Sequence, residues 1–524
     1  MDRYVPEIVI GFVAPAGADF TAIKGRVTRC LDEYGYGAVE VRLSDFLAQR
    51  SNLAGRLTPA DEKRVELRVP ALQAEGNLFR FEKNLRDALA FVALNEIVGI
   101  RAERNGSATN PQMTPVKALA FLIWSFKLPE EIATMRSIYR EHFFVVSVHT
   151  PREKRANRLA TQIAAGNNRI GGPNASDRAD AEKIIEADEH EDLLGLTSRA
   201  RVDSNAIKAG FGQNVRDAYP MGDFFVDPDL DESRPESLDR AIDIIFGHPY
   251  ETPTSDEFGM FVATAAALRS AELGRQVGAA IIGSLGEVVA VGTNEVPAFG
   301  GGHYAKGMSS DDREFRRGTD TSDILRGRLV DQIQEQLTNA NIIGEATEET
   351  ASAIRIALGS TRIRDLTEFG RALHAESCAL MDAARRGVAV KGLTICVTTF
   401  PCHQCTRQVI AAGLVRLVYV YPYPKSLAGD LHGDAIEIDR PGVPDKLHFE
   451  PFLGVAPRRY LQAFTAGRRK DADGKAVPAE DRDRSPRLLE GDESGEWDAA
   501  TYIVREQHAL RQTQTVFSSE TGKG

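Results

Sequence analysis

The chain has 524 residues, of which 42% are hydrophobic and 27% are charged, and its formal net charge is -11. This length exceeds one typical domain and predicts two or three domains, each able to bury a core. The acidic balance argues against a nucleic-acid polymer as the ligand, because proteins that bind such polymers present a basic surface. Small anionic ligands stay open, since a few basic side chains in a pocket are enough to bind them.

The cysteines and the apolar stretches indicate where the protein works. Five cysteines in a chain of this length do not make a disulfide framework. An odd number that includes one C-x-x-C pair is typical of a reducing compartment and a metal site. The amino-terminal residues lack the order of basic, apolar and small residues of a signal peptide. Apolar stretches such as 118–126 are far shorter than the roughly 20 residues of a membrane span. We therefore expect a cytoplasmic protein without a membrane segment.

The first 247 residues alternate between strand and helix patterns, which predicts a mostly parallel α/β sheet. The apolar run 7–13 predicts a buried strand, and Ala22–Tyr34 has helical periodicity. A Gly- and Asn-rich stretch, 167–177, predicts a loop, and residues 248–256 with their two prolines predict a linker. Further strands are expected at 39–43, 143–148 and 223–226, and further helices at 84–100, 152–164 and 238–246.

Residues 257–467 predict a second α/β domain. Residues 303–365 are expected to form a long, charged, helical insertion within it. The remainder, 468–524, is polar and charged and is expected to be a flexible tail, although 499–512 has the pattern of one amphipathic helix. The other predicted elements of the domain are helices at 257–271, 374–386 and 402–412 and strands at 277–282, 287–292, 393–398 and 417–421.

Two short segments carry the chemistry of the second domain, H-A-E at 374–376 and P-C-H-Q-C at 401–405. Zinc prefers imidazole and thiolate ligands, so His374, Cys402 and Cys405 are the expected ligands. Three protein ligands leave a position open for water, as in catalytic zinc sites, whereas a structural zinc takes four. The alternative is a structural zinc knuckle. The H-x-E motif and its spacing from the cysteines argue against that alternative.

The pair of H-x-E and P-C-x-x-C is the signature of zinc nucleobase deaminases. With G-R-Q-V-G-A-A-I-I-G-S-L-G-E-V-V-A-V-G-T-N-E-V-P at 274–297, residues 256–438 resemble the deoxycytidylate deaminase branch of the cytidine deaminase-like superfamily. The resemblance implies an αβα sandwich, a bound Zn²⁺ and hydrolytic deamination of a free deoxycytidine nucleotide. In that chemistry Glu376 takes a proton from the zinc-bound water and passes it to the pyrimidine N3 and the leaving amine.

The resemblance also implies contacts with the substrate. Asn294 matches an asparagine that contacts the sugar in that family, and a turn-forming role is its alternative. Ala375, between the histidine and the glutamate of the motif, is assigned to the substrate as well. Tyr421, Lys425 and Arg275 are candidates for the mouth of the pocket and the phosphate, and each has the alternative of being an ordinary surface residue.

The whole chain is similar to a bacterial group of two-domain deoxycytidine nucleotide deaminases with a P-loop-kinase-like N-terminal domain. Further resemblance lies at 254–275, 364–376 and 423–435. It implies defence against phage by lowering dCTP or dCMP, and a homo-oligomer for which 303–365 is long enough to supply an interface. The choice between dCMP and dCTP stays open. An enzyme acting on bases in RNA or DNA and a non-catalytic, zinc-stapled binding protein are the alternatives.

The loop after the first predicted strand, G-F-V-A-P-A-G-A-D at 11–19, lies where a phosphate-binding loop belongs. Gly11 and Gly17 occupy the positions of the two loop glycines. The lysine and the hydroxyl residue that such a loop requires are replaced by Ala18 and Asp19. At a helix start Asp19 stabilises the helix and repels phosphate. The sequence therefore predicts a degenerate domain that regulates or oligomerises the deaminase, with nucleotide sensing as a further hypothesis.

Overall fold

The computed structural model describes residues 5–517 with gaps. The residues inside this range that it leaves out are 51–62, 107, 170, 190–209, 229–236, 345–346, 360, 362, 364–365, 367, 424–425, 440–442, 466–468, 479–485 and 487–499. The chain divides into two compact units, Met1–Pro253 with Leu453–Gly524, and Thr254–Phe452. No helix within the described ranges is both long and apolar enough to cross a membrane.

Helices and strands are numbered in chain order. The helices are α1 Phe20–Glu33, α2 Leu43–Arg50, α3 Val65–Lys83, α4 Ala88–Asn105, α5 Pro129–Tyr139, α6 Arg152–Gly166, α7 Ala175–Glu189, α8 Val215–Ala218, α9 Leu238–Ile245, α10 Ser255–Ala267, α11 Glu314–Arg317, α12 Thr321–Asn339, α13 Glu348–Gly359, α14 Ala375–Arg386, α15 His403–Ala411, α16 Ala428–His432, α17 Tyr460–Phe464 and α18 Ala500–Phe517. The strands are β1 Ile8–Val13, β2 Gly37–Arg42, β3 Leu119–Trp124, β4 Phe143–Val148, β5 Phe224–Val226, β6 Gly278–Ile282, β7 Val288–Thr293, β8 Thr394–Thr399, β9 Arg416–Tyr421, β10 Ile436–Ile438, β11 Leu447–Pro451 and β12 Gly454–Val455.

The first unit is built on a six-stranded sheet in the order β12-β5-β4-β1-β3-β2. Strands β1 to β5 are parallel, and β12 pairs antiparallel with β5. Every residue of β1, β3 and β4 is buried, as expected of parallel strands covered on both faces. The predicted parallel sheet is confirmed, and the apolar stretch around 118–126 supplies its additional strand β3.

Helices cover both faces of this sheet. Side chains alternate along β1, so Ile10 and Phe12 join the core with α1 and α9, while Val9 and Val13 join the core with α4 and α5. The stretch 167–177, expected to be a loop, ends in the first residues of α7.

The carboxyl-terminal segment belongs to the first unit. After Phe452 the chain adds β12 to the first sheet, and α18 packs against α4 and α5. In α18, Glu506 pairs with the fully buried Arg101 at 2.6 Å, and the Tyr502 hydroxyl donates to Glu7 at 2.9 Å. The second domain was expected to end at 467, whereas the second unit ends at Phe452. Residues 468–524 were expected to form a flexible tail, whereas Ala500–Phe517 form a packed helix. The amphipathic helix expected at 499–512 is present as α18, but its place in the first unit was not expected, because its buried charge is neutralised by a distant arginine.

The second unit has a six-stranded sheet in the order β10-β11-β9-β8-β6-β7. Strands β8 to β11 run parallel to one another, whereas β6 is antiparallel to both β7 and β8. Helices α14 and α15 share a core with Ile281 and Val397 on one face, and α10 packs on the other face, where Gly259 approaches Ile282 and Cys396. This is the expected αβα sandwich. The expected helical insertion is present as α11, α12 and α13.

Candidate metal centre and active site

Two neighbouring helices of the second unit start at residues with metal-binding side chains. Helix α14 begins directly after His374 and α15 directly after Cys402, and neither cap residue makes a side-chain hydrogen bond to its helix. Cys405 lies in the first turn of α15. The positive end of a helix stabilises a thiolate, so both cysteines lie where loss of the thiol proton is favoured.

A glycine in the neighbouring strand brings α14 close to the sheet. A Cβ atom at Gly292 of β7 would lie 2.0 Å from the carbonyl oxygen of Ala375 and 2.4 Å from the backbone nitrogen of Ala379. Both contacts are with backbone, which cannot turn away as a side chain can. Gly292 therefore sets the position of the helix that carries His374 and Glu376.

The three expected ligands come together. His374 Nδ1 lies 3.4 Å from Cys402 Sγ and 3.3 Å from Cys405 Sγ, and the three ligand atoms lie within 4.8 Å of one another. Tetrahedral zinc, with Zn–S bonds of about 2.3 Å and Zn–N bonds of about 2.0 Å, requires an S–N separation of about 3.5 Å. The cluster therefore fits Zn²⁺ with three protein ligands and is the only such group of His, Cys, Asp or Glu within the described parts of the chain.

Proton sharing within the cluster shows why it favours a cation. Hydrogen bonding from Cys405, with a further contribution from His374, lowers the pKa of the Cys402 thiol to about 4. The interaction with Cys402 raises the pKa of His374 to about 9, and the hydrogen bond to Cys402 together with burial raises the pKa of Cys405. Without a metal, protons on His374 and Cys405 stabilise the negative charge of the Cys402 thiolate. A divalent cation replaces these protons, so the cluster is a zinc site.

Glu376 lies beside the cluster but is not one of the three ligands. Its side chain is buried, with 4% of the residue exposed, and burial raises the pKa of its carboxyl group above the usual value. A carboxyl group that changes protonation nearer to neutral pH is suited to both accepting and donating a proton.

Two neighbouring residues were not singled out from the sequence. The Ser377 hydroxyl donates to Gln408 Oε1 at 2.5 Å and lies 3.8 Å from Cys405 Sγ, so it links the starts of α14 and α15. Glu272 has a buried Oε2 without a hydrogen-bond partner in the described structure, and its charge contributes to the raised pKa of His374. Position directly after H-A-E was the one available signal for Ser377, and Glu272 had none.

The candidate substrate residues lie apart along the second unit. Asn294 Oδ1 accepts from the Val277 amide at 2.7 Å and its Nδ2 donates to the Arg275 carbonyl at 2.7 Å, so this side chain links the end of β7 to the segment before β6. The side chains of Arg275 and Tyr421 are exposed. Ala375 is fully buried. Lys425 lies outside the described residues. A substrate role for each of these residues stays a prediction.

The two glycines of the expected phosphate loop have different positions in the first unit. Gly17 lies in the loop, with a φ angle of 88°. Gly11 lies within β1, where a Cβ atom would come 2.5 Å from the ring of Phe126 and 2.9 Å from that of Phe143. The assignment of Gly11 to the loop is therefore wrong. A glycine is needed at position 11 because the rings of Phe126 and Phe143 pack directly against this part of the strand.

Part of the chain is similar to known proteins, and the family model that matches it covers most of the second unit. Residues 253–421 match the family model of the cytidine and deoxycytidylate deaminase zinc-binding region. The deoxycytidylate deaminases of Enterobacteria phages T2 and T4 are each 39% identical over 57 residues, which are 11% of this chain and 30% of the phage proteins. A crystal structure of dCMP deaminase from the cyanophage S-TIM5 in complex with dCMP and dUMP matches with 18% identity and a TM-score of 0.23, over 39% of this chain and all of that chain.

The family-model match and the cluster geometry agree on the same segment. The chain spans about 30% of the length of the curated relatives that it matches. The matched region contains His374, Cys402, Cys405 and Glu376, the residues that the geometry brings together. Residues 253–421 of this chain are thus similar to the cytidine and deoxycytidylate deaminase zinc-binding region.

Proposed function

We propose that this protein is a zinc-dependent hydrolase that removes the 4-amino group from a free deoxycytidine nucleotide. The products are the deoxyuridine nucleotide and ammonia. The observation that carries the proposal is the buried carboxyl group of Glu376 beside a cluster of three ligands. A structural zinc has no use for such a carboxyl group, whereas a hydrolase needs one to move protons.

The chemistry divides between the metal and Glu376. His374, Cys402 and Cys405 would hold a zinc ion, which would lower the pKa of a bound water to about 7 and so supply a nucleophile at neutral pH. Glu376 accepts a proton from the attacking water and donates it to N3 of the cytosine ring. Glu376 then accepts the second proton of that water and donates it to the leaving amino group. The C4–N bond breaks, a C4–O bond remains, and ammonia leaves.

The proposed substrate is a free nucleotide and not a base in a polymer. The relatives from Enterobacteria phages T2 and T4 are named deoxycytidylate deaminases. The net charge of -11 disfavours long-range attraction of a polyanion. Proteins that bind nucleic acid gain most of their affinity from contacts with many phosphates. The finer parts of the proposal are that dCMP, dCTP or both are deaminated, that the protein forms a homo-oligomer, and that loss of dCTP serves defence against phage. These parts rest on the resemblance of the whole chain to two-domain nucleotide deaminases.

A substrate panel tests the proposal. Zinc-loaded protein is incubated with dCMP, dCTP, CMP, cytidine and a cytosine-containing single-stranded oligonucleotide, and ammonia and uracil products are measured. We expect turnover of dCMP or dCTP at least about tenfold faster than of the oligonucleotide, because a pocket for a free nucleotide does not admit a continuous backbone. Turnover of the oligonucleotide alone would show that the enzyme acts on nucleic acid.

A cellular measurement tests the biological part. Deoxynucleotide pools are compared in cells that express the native chain or Glu376→Gln, before and after phage infection. We expect a fall in dCTP and a rise in deoxyuridine nucleotides only with the native chain. Equal pools with both proteins, under both conditions, would contradict a role in nucleotide depletion.

A further inference from the structure

The loop between β1 and α1 lies where open α/β sheets bind their ligands. Such ligands bind at the carboxyl ends of strands whose connections run in opposite directions. In the first sheet, β1 connects to β2 on one side and β4 connects to β5 on the other. The loop, residues 14–19, follows β1 at this point.

The amino-terminal end of α1 is capped by a side chain of the protein itself. Oδ1 of Asp19 accepts hydrogen bonds from the amides of Thr21 at 3.1 Å and Ala22 at 3.3 Å. These amides are the groups through which a helix start binds an anion. The carboxylate of Asp19 therefore occupies the positive end of α1.

A second carboxylate, from the last turn of α7, occupies the loop itself. Asp188 Oδ2 accepts from the amide of Ala16 at 2.7 Å, and Asp188 Oδ1 pairs with Lys127 Nζ at 2.8 Å. Asp188 is 1% exposed, and Lys127 also donates to the Ala14 carbonyl at 3.0 Å. A backbone amide and a lysine ammonium are the two kinds of partner that a phosphate has in a phosphate-binding loop. Lys127 comes from the segment after β3, so it is not the lysine of such a loop motif.

Two arginines of α6 hold the loop and the end of α7 together. Arg155 donates to the Ala16 carbonyl at 3.4 Å and pairs with Glu189 at 2.6 Å. Arg158 donates to the Gly17 carbonyl at 3.1 Å. A Cβ atom at Gly17 would lie 2.9 Å from the Arg155 carbonyl oxygen, so α6 packs directly on the loop.

We propose that Asp188 is an internal ligand of this loop, in which its carboxylate takes the place of a phosphate group. The loop is closed to phosphate because the Ala16 amide and the Lys127 ammonium are already used. An incoming phosphate also meets the negative charges of Asp19 and Asp188. Displacement of Asp188 is the step that opens the loop and frees the end of α7.

Replacement of the internal carboxylate by added phosphate tests this proposal. Full-length, zinc-loaded Asp188→Ala is compared with the native chain and with Asp180→Ala, which removes an exposed carboxylate of the same helix that pairs with Lys183. Thermal unfolding is followed in inorganic phosphate and in sodium chloride of equal ionic strength. We expect Asp188→Ala to unfold at a lower temperature and phosphate to raise that temperature by at least about 2 °C more than in the other two proteins.

The outcomes separate an anion site from simple packing. An equal phosphate response in all three proteins overturns the proposal, and so does a response of the native chain as large as that of Asp188→Ala. Asp188→Asn keeps the volume and loses the charge, so we expect a lower unfolding temperature without the phosphate response. If Asp188→Ala does not fold in chloride, phosphate is expected to restore folding. Failure to do so while Asp188→Asn folds also overturns the proposal.

Discussion

The starts of the helices that follow sheet strands are used differently in the two units. In the first unit, Asp19 caps α1 and Asp188 fills the loop before it. In the second unit, α14 and α15 start without a side-chain cap, and their first residues supply His374, Cys402 and Cys405. The helix start at α1 is thus closed by carboxylates of the chain, whereas the helix starts at α14 and α15 hold metal ligands.

Charge balance explains the difference. Asp188 is neutralised by Lys127, and Glu189 is neutralised by Arg155, so the first loop needs no added ion. In the metal-free cluster, protons on His374 and Cys405 balance the negative charge of Cys402. A buried group of negative charges without a lysine or arginine partner is stabilised by a cation. The cluster in the second unit therefore needs a bound cation. The loop in the first unit needs none, because its carboxylates are neutralised by side chains of the protein.

The largest expected effect separates metal binding from catalysis in the second unit. Glu376→Gln keeps the volume and removes the base, so we expect kcat to fall by about 10⁴-fold, the upper end for general acid–base catalysis, because one carboxyl group makes both proton transfers. Zinc content is expected to stay at one per chain. Ammonia release and elemental analysis measure the two quantities, with Asp382→Asn on the same helix as the control. Loss of zinc from Glu376→Gln would contradict its role beside the ligands.

The next effect tests how far the first unit depends on carboxylates that are paired internally. Glu506→Ala removes one of the two carboxylates that pair with the buried guanidinium of Arg101, and Glu7 remains at 2.8 Å. Because Arg101 keeps this partner, we expect a loss of about 2–3 kcal/mol, the size of a hydrogen bond to a charged group. Chemical denaturation should show this loss in the transition of the first unit, with zinc content unchanged. Arg511→Ala, an exposed site on α18, is the control. A loss below about 1 kcal/mol would show that water reaches this pair.

Zinc affinity should depend on pH in a way that reflects the shared protons. The pKa of His374 is raised to about 9 without metal, so the imidazole carries a proton below that pH and zinc must displace it. Affinity therefore falls as the pH drops from 9 to 6, by about tenfold per unit for one displaced proton and more if Cys405 also loses one. Competition with a chelator of known pH dependence measures it. Constant affinity over this range would mean that the cluster holds no proton.

The smallest effect concerns the cap of α1. Asp19→Ala removes the acceptor for the Thr21 and Ala22 amides and should destabilise the first unit by about 1 kcal/mol. Asp19→Asn keeps an oxygen acceptor and should cost less, which makes it the matched control. Denaturant unfolding measures both variants. A change in zinc content or deaminase activity would show that the two helix starts are not independent.

Local patterns of the sequence were enough for the zinc ligands. His374, Cys402 and Cys405 lie at helix starts whose positions follow from short-range periodicity, and zinc itself restricts the choice of ligands. The substrate residues are different, because their roles depend on contacts that no spacing encodes. Asn294 bonds the backbone of residues 275 and 277 through both ends of its amide, and Glu272 has one buried carboxylate oxygen that the sequence does not reveal.

By itself, the sequence determined the parallel sheet of the first unit, the αβα sandwich of the second, and a histidine, two cysteines and a glutamate for a zinc centre. The parallel sheet follows from periodicity and the ligands from zinc chemistry, which act over a few residues, whereas the sandwich is implied by the resemblance to a known family. Only the tertiary structure decided that Glu506 pairs with Arg101, 405 residues away, and that Asp188 reaches Ala16 from 172 residues along the chain. Pairings at such separations depend on how helices pack, and a polar residue in the sequence does not reveal its partner.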